Sequence, residues 1–110
     1  MKTMADLIEF NTETFHDTYI LRVLEDTAVD VLTMDVDFPV DWFESKYEKR
    51  QIVFRDAFNY QVHEQDFSGS PQILKISIVE KSQHGTQYRM ETNAGYREIW
   101  CRSVELIDAA

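Results

Sequence analysis

Gln51-Ile52-Val53-Phe54-Arg55-Asp56-Ala57-Phe58-Asn59-Tyr60-Gln61-Val62-His63 is the stretch that decides the fold. Ile52, Phe54, Phe58, Tyr60 and Val62 share one parity, while Gln51, Arg55, Asn59, Gln61 and His63 take the other. Successive side chains of a strand point to opposite faces, so this alternation describes a half-buried antiparallel strand. Asp56 interrupts the apolar side, and Val53 and Ala57 interrupt the polar side. The stretch therefore reads as one long strand, or as two strands joined at a bulge near Asp56.

Working toward the N-terminus, Asp41-Trp42-Phe43-Glu44 reads as a helix start, with Asp41 as N-cap and Glu44 reaching back. The predicted helix is short, about two turns over 41–49. Before it, Leu32, Met34, Val36 and Phe38 alternate with Thr33, Asp35 and Asp37, and Pro39 is expected to end that strand. Tyr19 to Leu24 is rich in β formers and runs into an Asp26-Thr27 turn. Thr3 is a candidate cap for a short helix over Ala5–Phe10, although the apolar spacing there is poor.

Toward the C-terminus, Ser68-Gly69-Ser70-Pro71 is a loop. Leu74, Ile76 and Ile78 then share a face. His84-Gly85 and Asn93-Ala94-Gly95 are turn signals around a strand carrying Tyr88, Met90 and Thr92. The last strand, from about Tyr96 to Ile107, has mixed parity and calls for a bulge. The expectation is a mainly β single domain over 1–110, with about six antiparallel strands and the short helix. They would form a meander sandwich or partly open barrel, with a twisted open sheet carrying the helix on one face as the alternative.

The 110 residues suffice to bury a core without disulfide staples. The formal net charge is −9, and all of the excess lies in residues 1–48, which hold 12 Asp and Glu against 3 Lys and Arg. Residues 49–110 balance at 8 against 8. This disfavours phosphate backbones and anionic lipid surfaces, and favours a basic protein partner. Acidity also serves solubility alone. The longest apolar run is three residues, so no membrane-spanning segment or signal core is expected. A lone cysteine, Cys101, fits a small buried thiol in a reducing, cytoplasmic compartment.

Catalytic signatures are sparse. His63-Glu64 begins like a zinc-helix signature, but residue 67 is Phe. Three dispersed histidines give no ligand spacing, so no metal and no cofactor is expected. Asp35 to Asp41 fails as a calcium loop because Val40 and Lys46 stand where Gly and Glu are needed. There is no nucleophile elbow and no phosphate loop, and the reading leans away from an enzyme. What remains is an acidic face, Asp35, Asp37, Asp41 and Glu44, beside the aromatic Trp42. In the competing reading, Asp35 and Asp37 are merely solvated, and Trp42 with Phe43 covers an open end of the sheet.

Phe15-His16-Asp17-Thr18-Tyr19-Ile20, the acidic run to Phe38-Pro39, Ile52-Val53-Phe54 and Cys101-Arg102-Ser103-Val104-Glu105-Leu106 resemble a loose group of small bacterial β-rich proteins. These share a hydrophobic-His-Asp-x-x-Ile start, and some are assigned as immunity proteins of polymorphic toxin systems. The resemblance implies a non-enzymatic inhibitor, and it places His16 and Asp17 in the shared start, where a structural role at the first strand suits them. The alternatives are a small ligand-binding or enzymatic barrel with a pocket near a His-carboxylate pair, and a self-associating protein, a homodimer, paired through an edge near the last strand.

Overall fold

The computed structural model describes residues 15–41 and 43–108. The expected N-terminal helix at Ala5–Phe10 and the side chain of Trp42 lie outside the described residues. The described chain is all β. Its strands are β1 (Thr18–Asp26), β2 (Val31–Asp41), β3 (Lys46–Arg55), β4 (Phe58–Glu64), β5 (Gln72–Ser82), β6 (Gly85–Thr92), β7 (Gly95–Cys101) and β8 (Ser103–Asp108). All pair antiparallel in one open sheet of order β4-β7-β6-β5-β1-β2-β3-β8.

There are eight strands rather than about six because two long passes of chain are each bent once. Asp56, at φ 52°, breaks the deciding stretch into β3 and β4. Arg102 separates β7 from β8. The two bent passes stay paired through the corner. β4 pairs with β7, the Arg102 N–H donates to the Arg55 carbonyl at 3.0 Å, and β3 then pairs with β8. A strand that turns a corner in this way redirects its inward face.

The curled sheet buries one shared core. Leu32, Met34 and Val36 of β2 lie in it, as their alternation requires, with Ile52 and Phe54 of β3 and Val104 of β8. Ile73, Ile76, Tyr88, Met90, Ile99 and Cys101 come to the same core from β5, β6 and β7. Past Asp56 the apolar parity no longer means burial. Phe58 and Val62 are 45% and 50% exposed because β4 is an edge strand whose register shifts between Phe58 and Gln61. On β5 a register shift between Ile73 and Lys75 turns Ile73 inward and leaves Leu74 exposed.

The expected helix over 41–49 is absent. Asp41 does cap, accepting from the N–H groups of Phe43 at 3.0 Å and Glu44 at 3.3 Å. Ser45 then adopts φ 52° and the chain turns back as a hairpin. Lys46 to Arg50 pair with Asp41 to Val36. A two-turn helix is marginal by itself, whereas the open side of β2 offers a ready ladder. Pro39 likewise does not end β2. It sits opposite Tyr47 beside a register shift, where a missing N–H is tolerated.

Candidate functional site

The acidic residues singled out from sequence are brought together only in part, and most are already engaged. Asp35 accepts from Arg22 Nε at 2.9 Å and from Gln51 Nε2 at 2.9 Å. Asp37 binds Lys49 Nζ at 2.6 Å. Cations on β1 and β3 thus flank the two like charges of β2, which removes the repulsion expected from their spacing. Asp41 is committed to its turn, and Glu44 lies exposed in it. His16 and Asp17 form a structural clip. His16 Nδ1 meets the Leu74 carbonyl at 2.9 Å, and Asp17 accepts from Gln72 Nε2 at 2.6 Å. Together they fasten β1 to β5 where the ladder is only two residue pairs long.

A different constellation gathers at the corner of the sheet. Asp30 ends the β1–β2 turn, Asp56 makes the β3–β4 bend, His84 lies in the β5–β6 turn, and Arg102 makes the β7–β8 bend. With Ala57 and Phe58 they line a cleft of about 410 Å³. Backbone hydrogen bonds set the assembly, since the Ala57 N–H donates to the Asp30 carbonyl at 2.8 Å and Arg102 donates to Arg55. Asp30 and Asp56 both adopt left-handed backbone, at φ 54° and 52°, which short polar side chains tolerate best after glycine. Neither carboxylate enters an ion pair among the described residues. Phe58 stacks on Trp100 with ring centroids 5.8 Å apart and leaves 45% of its surface open. Glu25 and Asp26 add negative charge on the same hairpin as Asp30, next to exposed Leu24 and Val29.

The sequence reading missed both this cleft and a buried ion pair. Arg97 of β7 holds Glu64 of β4 through two parallel hydrogen bonds, Nε to Oε2 at 2.7 Å and Nη2 to Oε1 at 2.9 Å. Its Nη1 donates to the Tyr60 hydroxyl at 3.0 Å, and Thr92 donates to Glu64 at 3.1 Å. Hydrogen bonding from Arg97 holds the Glu64 carboxyl below its ordinary range, although burial opposes this. Burial pushes the Tyr60 phenol up, partly offset by Arg97. The available signal was parity: Arg97, Ile99 and Cys101 alternate together, so an arginine stood on an inward face. Arg97 also lines a second cleft of about 310 Å³ with Ile20 to Val23 and Gly69 to Pro71. Its two bonds to one carboxylate mark it as a structural lock.

Burial pushes the Cys101 thiol up to about 12, so it does not present a thiolate near neutral pH. Among the described residues, no three His, Cys, Asp or Glu side chains cluster in a way that could hold a metal ion. No helix there is long and apolar enough to cross a membrane. No protein-family model matches the chain, and no curated protein matches it either.

Proposed function

We propose that this chain is a non-enzymatic binding module that takes a cationic side chain of a basic protein into the corner cleft. The observation that carries the reading is the contrast between two sets of carboxylates. Asp35 and Asp37 are ion-paired with Arg22 and Lys49, whereas Asp30 and Asp56 line an open cleft beside Arg102 and His84 and enter no ion pair among the described residues. A guanidinium or ammonium entering there meets two carboxylate acceptors and the exposed part of the Phe58 ring. Glu25 and Asp26 extend the negative field along the approach and speed encounter. Occlusion of the partner by such contacts is an inhibitor's mode of action, as expected if the chain works like those members of the loose group of small bacterial β-rich proteins it resembles that are assigned as immunity proteins.

The test is capture from a lysate of the source organism, with elution by rising salt and mass spectrometry of the eluate. The proposal expects a stoichiometric basic protein that leaves as salt rises and is not retained by the Asp30→Asn/Asp56→Asn variant. Retention of the same protein by that variant would contradict it. A second reading has one observation in its favour: His84 shares the cleft with the two aspartates, as a small enzyme or ligand-binding site would require. A low-mass ligand co-purifying with the wild type, and lost on His84→Gln, would favour that alternative.

A further inference from the structure

The two ends of the sheet are built differently. β8 is guarded by charge: Glu105 lies 3.8 Å from Arg55 and Asp108 lies 3.1 Å from Arg50. Charged groups on an edge keep other strands from adding to it. β4 has no such guard. Its own Glu64 is locked to Arg97 of the adjacent β7. Phe58, Asn59, Gln61, Val62 and His63 form its exposed surface, and none of them is Asp, Glu, Lys or Arg. Its backbone hydrogen bonds among the described residues run only toward β7 and the β6–β7 turn. An unguarded edge of unpaired N–H and C=O groups is a template for another strand.

We propose that β4 pairs antiparallel with β4 of a second copy of this chain, across a two-fold axis at Val62, joining two sheets into one. Side chains directly opposed in an antiparallel pair share a face, so the axis falls on a residue rather than between two. The regular part of β4 lies beyond the register shift between Phe58 and Gln61, which leaves Val62 near its centre. This placement sets Val62 against its own copy and covers an apolar side chain that is 50% exposed. It sets Gln61 opposite His63 of the second copy. Those two groups already match as hydrogen-bonding partners within one strand, His63 Nε2 to Gln61 Oε1 at 2.9 Å. Tyr60 and Glu64 stay bound to Arg97 within each chain, so Gln61 and His63 supply the polar contacts across the axis. Gln61 and His63 are thus complementary to each other when the strand is read in reverse, and this, with the self-facing Val62, selects a second copy as the occupant. The chain's net charge of −9 opposes association in general, whereas residues 58–63 carry no Asp, Glu, Lys or Arg.

The experiment is light scattering across a concentration series up to high micromolar, with two substitutions at Val62. The wild type is expected to reach twice the 13.0 kDa chain mass. Val62→Lys should weaken dimerisation at least about tenfold while keeping a β-type circular dichroism spectrum. Val62→Cys brings two thiols face to face across the axis, within the roughly 4.4–6.8 Å Cα separation a disulfide spans. Mild oxidation should therefore link the chains, whereas Val79→Cys, similarly exposed on β5, should not link. A wild type that stays at monomer mass throughout overturns the proposal. So does a Val62→Cys variant that cross-links no faster than Val79→Cys. If Val62→Lys fails to fold, the cross-linking comparison alone decides.

Discussion

Arg97 and Glu64 are both charged and nearly covered, with side-chain exposures of 11% and 9%. Removing charge from water is costly, and the pair holds because geometry recovers that cost through two parallel bonds, with Tyr60 and Thr92 filling the remaining positions. Deleting one member strands the other. Arg97→Met is therefore expected to destabilise the fold by about 3–5 kcal/mol, measured by urea unfolding. A loss under about 1 kcal/mol would show that the pair is solvated instead. The pH dependence follows from the same contact. Glu64 titrates below its ordinary value in the fold, so its contribution is complete above the unfolded-state value of 4.5. It is lost as pH falls through the lowered folded-state value, and Glu64→Gln should flatten that part of the stability profile. Thr18 presents the opposite case, a buried hydroxyl with no hydrogen-bond partner among the described residues. Thr18→Val keeps the shape and should be neutral or stabilising, by up to about 1 kcal/mol on chemical denaturation. A clear destabilisation would reveal a partner for the hydroxyl.

At the scale of elements, alternation was legible where both sides of a strand have neighbours. Leu32, Met34 and Val36 are buried as their spacing requires, because β2 lies between β1 and β3. The same spacing misled at Phe58 and Val62, because the register shift between Phe58 and Gln61 puts Phe58 opposite Trp100 and Val62 opposite Arg97, on different faces of an edge strand. The capping pattern at Asp41 misled for another reason. An aspartate that accepts from the next backbone N–H groups serves a hairpin as well as a helix, and the open side of β2 decided between them. The corner cleft was not legible at all, since Asp30, Asp56, His84 and Arg102 are far apart in sequence and meet only through strand pairing. Gly95 shows how tightly β4 is seated. It sits at φ +150°, and a Cβ there would collide with the His63 carbonyl on β4. Gly95→Ala should cost about 2 kcal/mol or more in thermal or chemical unfolding and should raise amide exchange across Gln61 to Glu64 first. Unchanged exchange in β4 would show that the contact yields without strain.

At the scale of the molecule, the excess negative charge is divided between neutralised and open positions. Asp35 and Asp37 sit in cross-strand pairs with exposed cations. Each such pair is worth no more than about 1 kcal/mol, so Asp35→Asn and Asp37→Asn should each change stability by less than that. Asp30 and Asp56, which enter no ion pair among the described residues, line the corner cleft instead, where two bends and two turns converge. The proposed function therefore centres on the cleft rather than on the β2 face. It is tested most directly by isothermal titration of an oligoarginine peptide into three proteins at low and at moderate salt. These are the wild type, Asp30→Asn/Asp56→Asn and Asp35→Asn/Asp37→Asn. Asparagine tolerates the left-handed backbone at 30 and 56, so the first pair removes charge with little strain. The account predicts salt-sensitive binding by the wild type, a loss of at least about tenfold in the cleft variant, and a change within about threefold in the β2 variant. Equal losses in both variants, or a larger loss from Asp35 and Asp37, would contradict it.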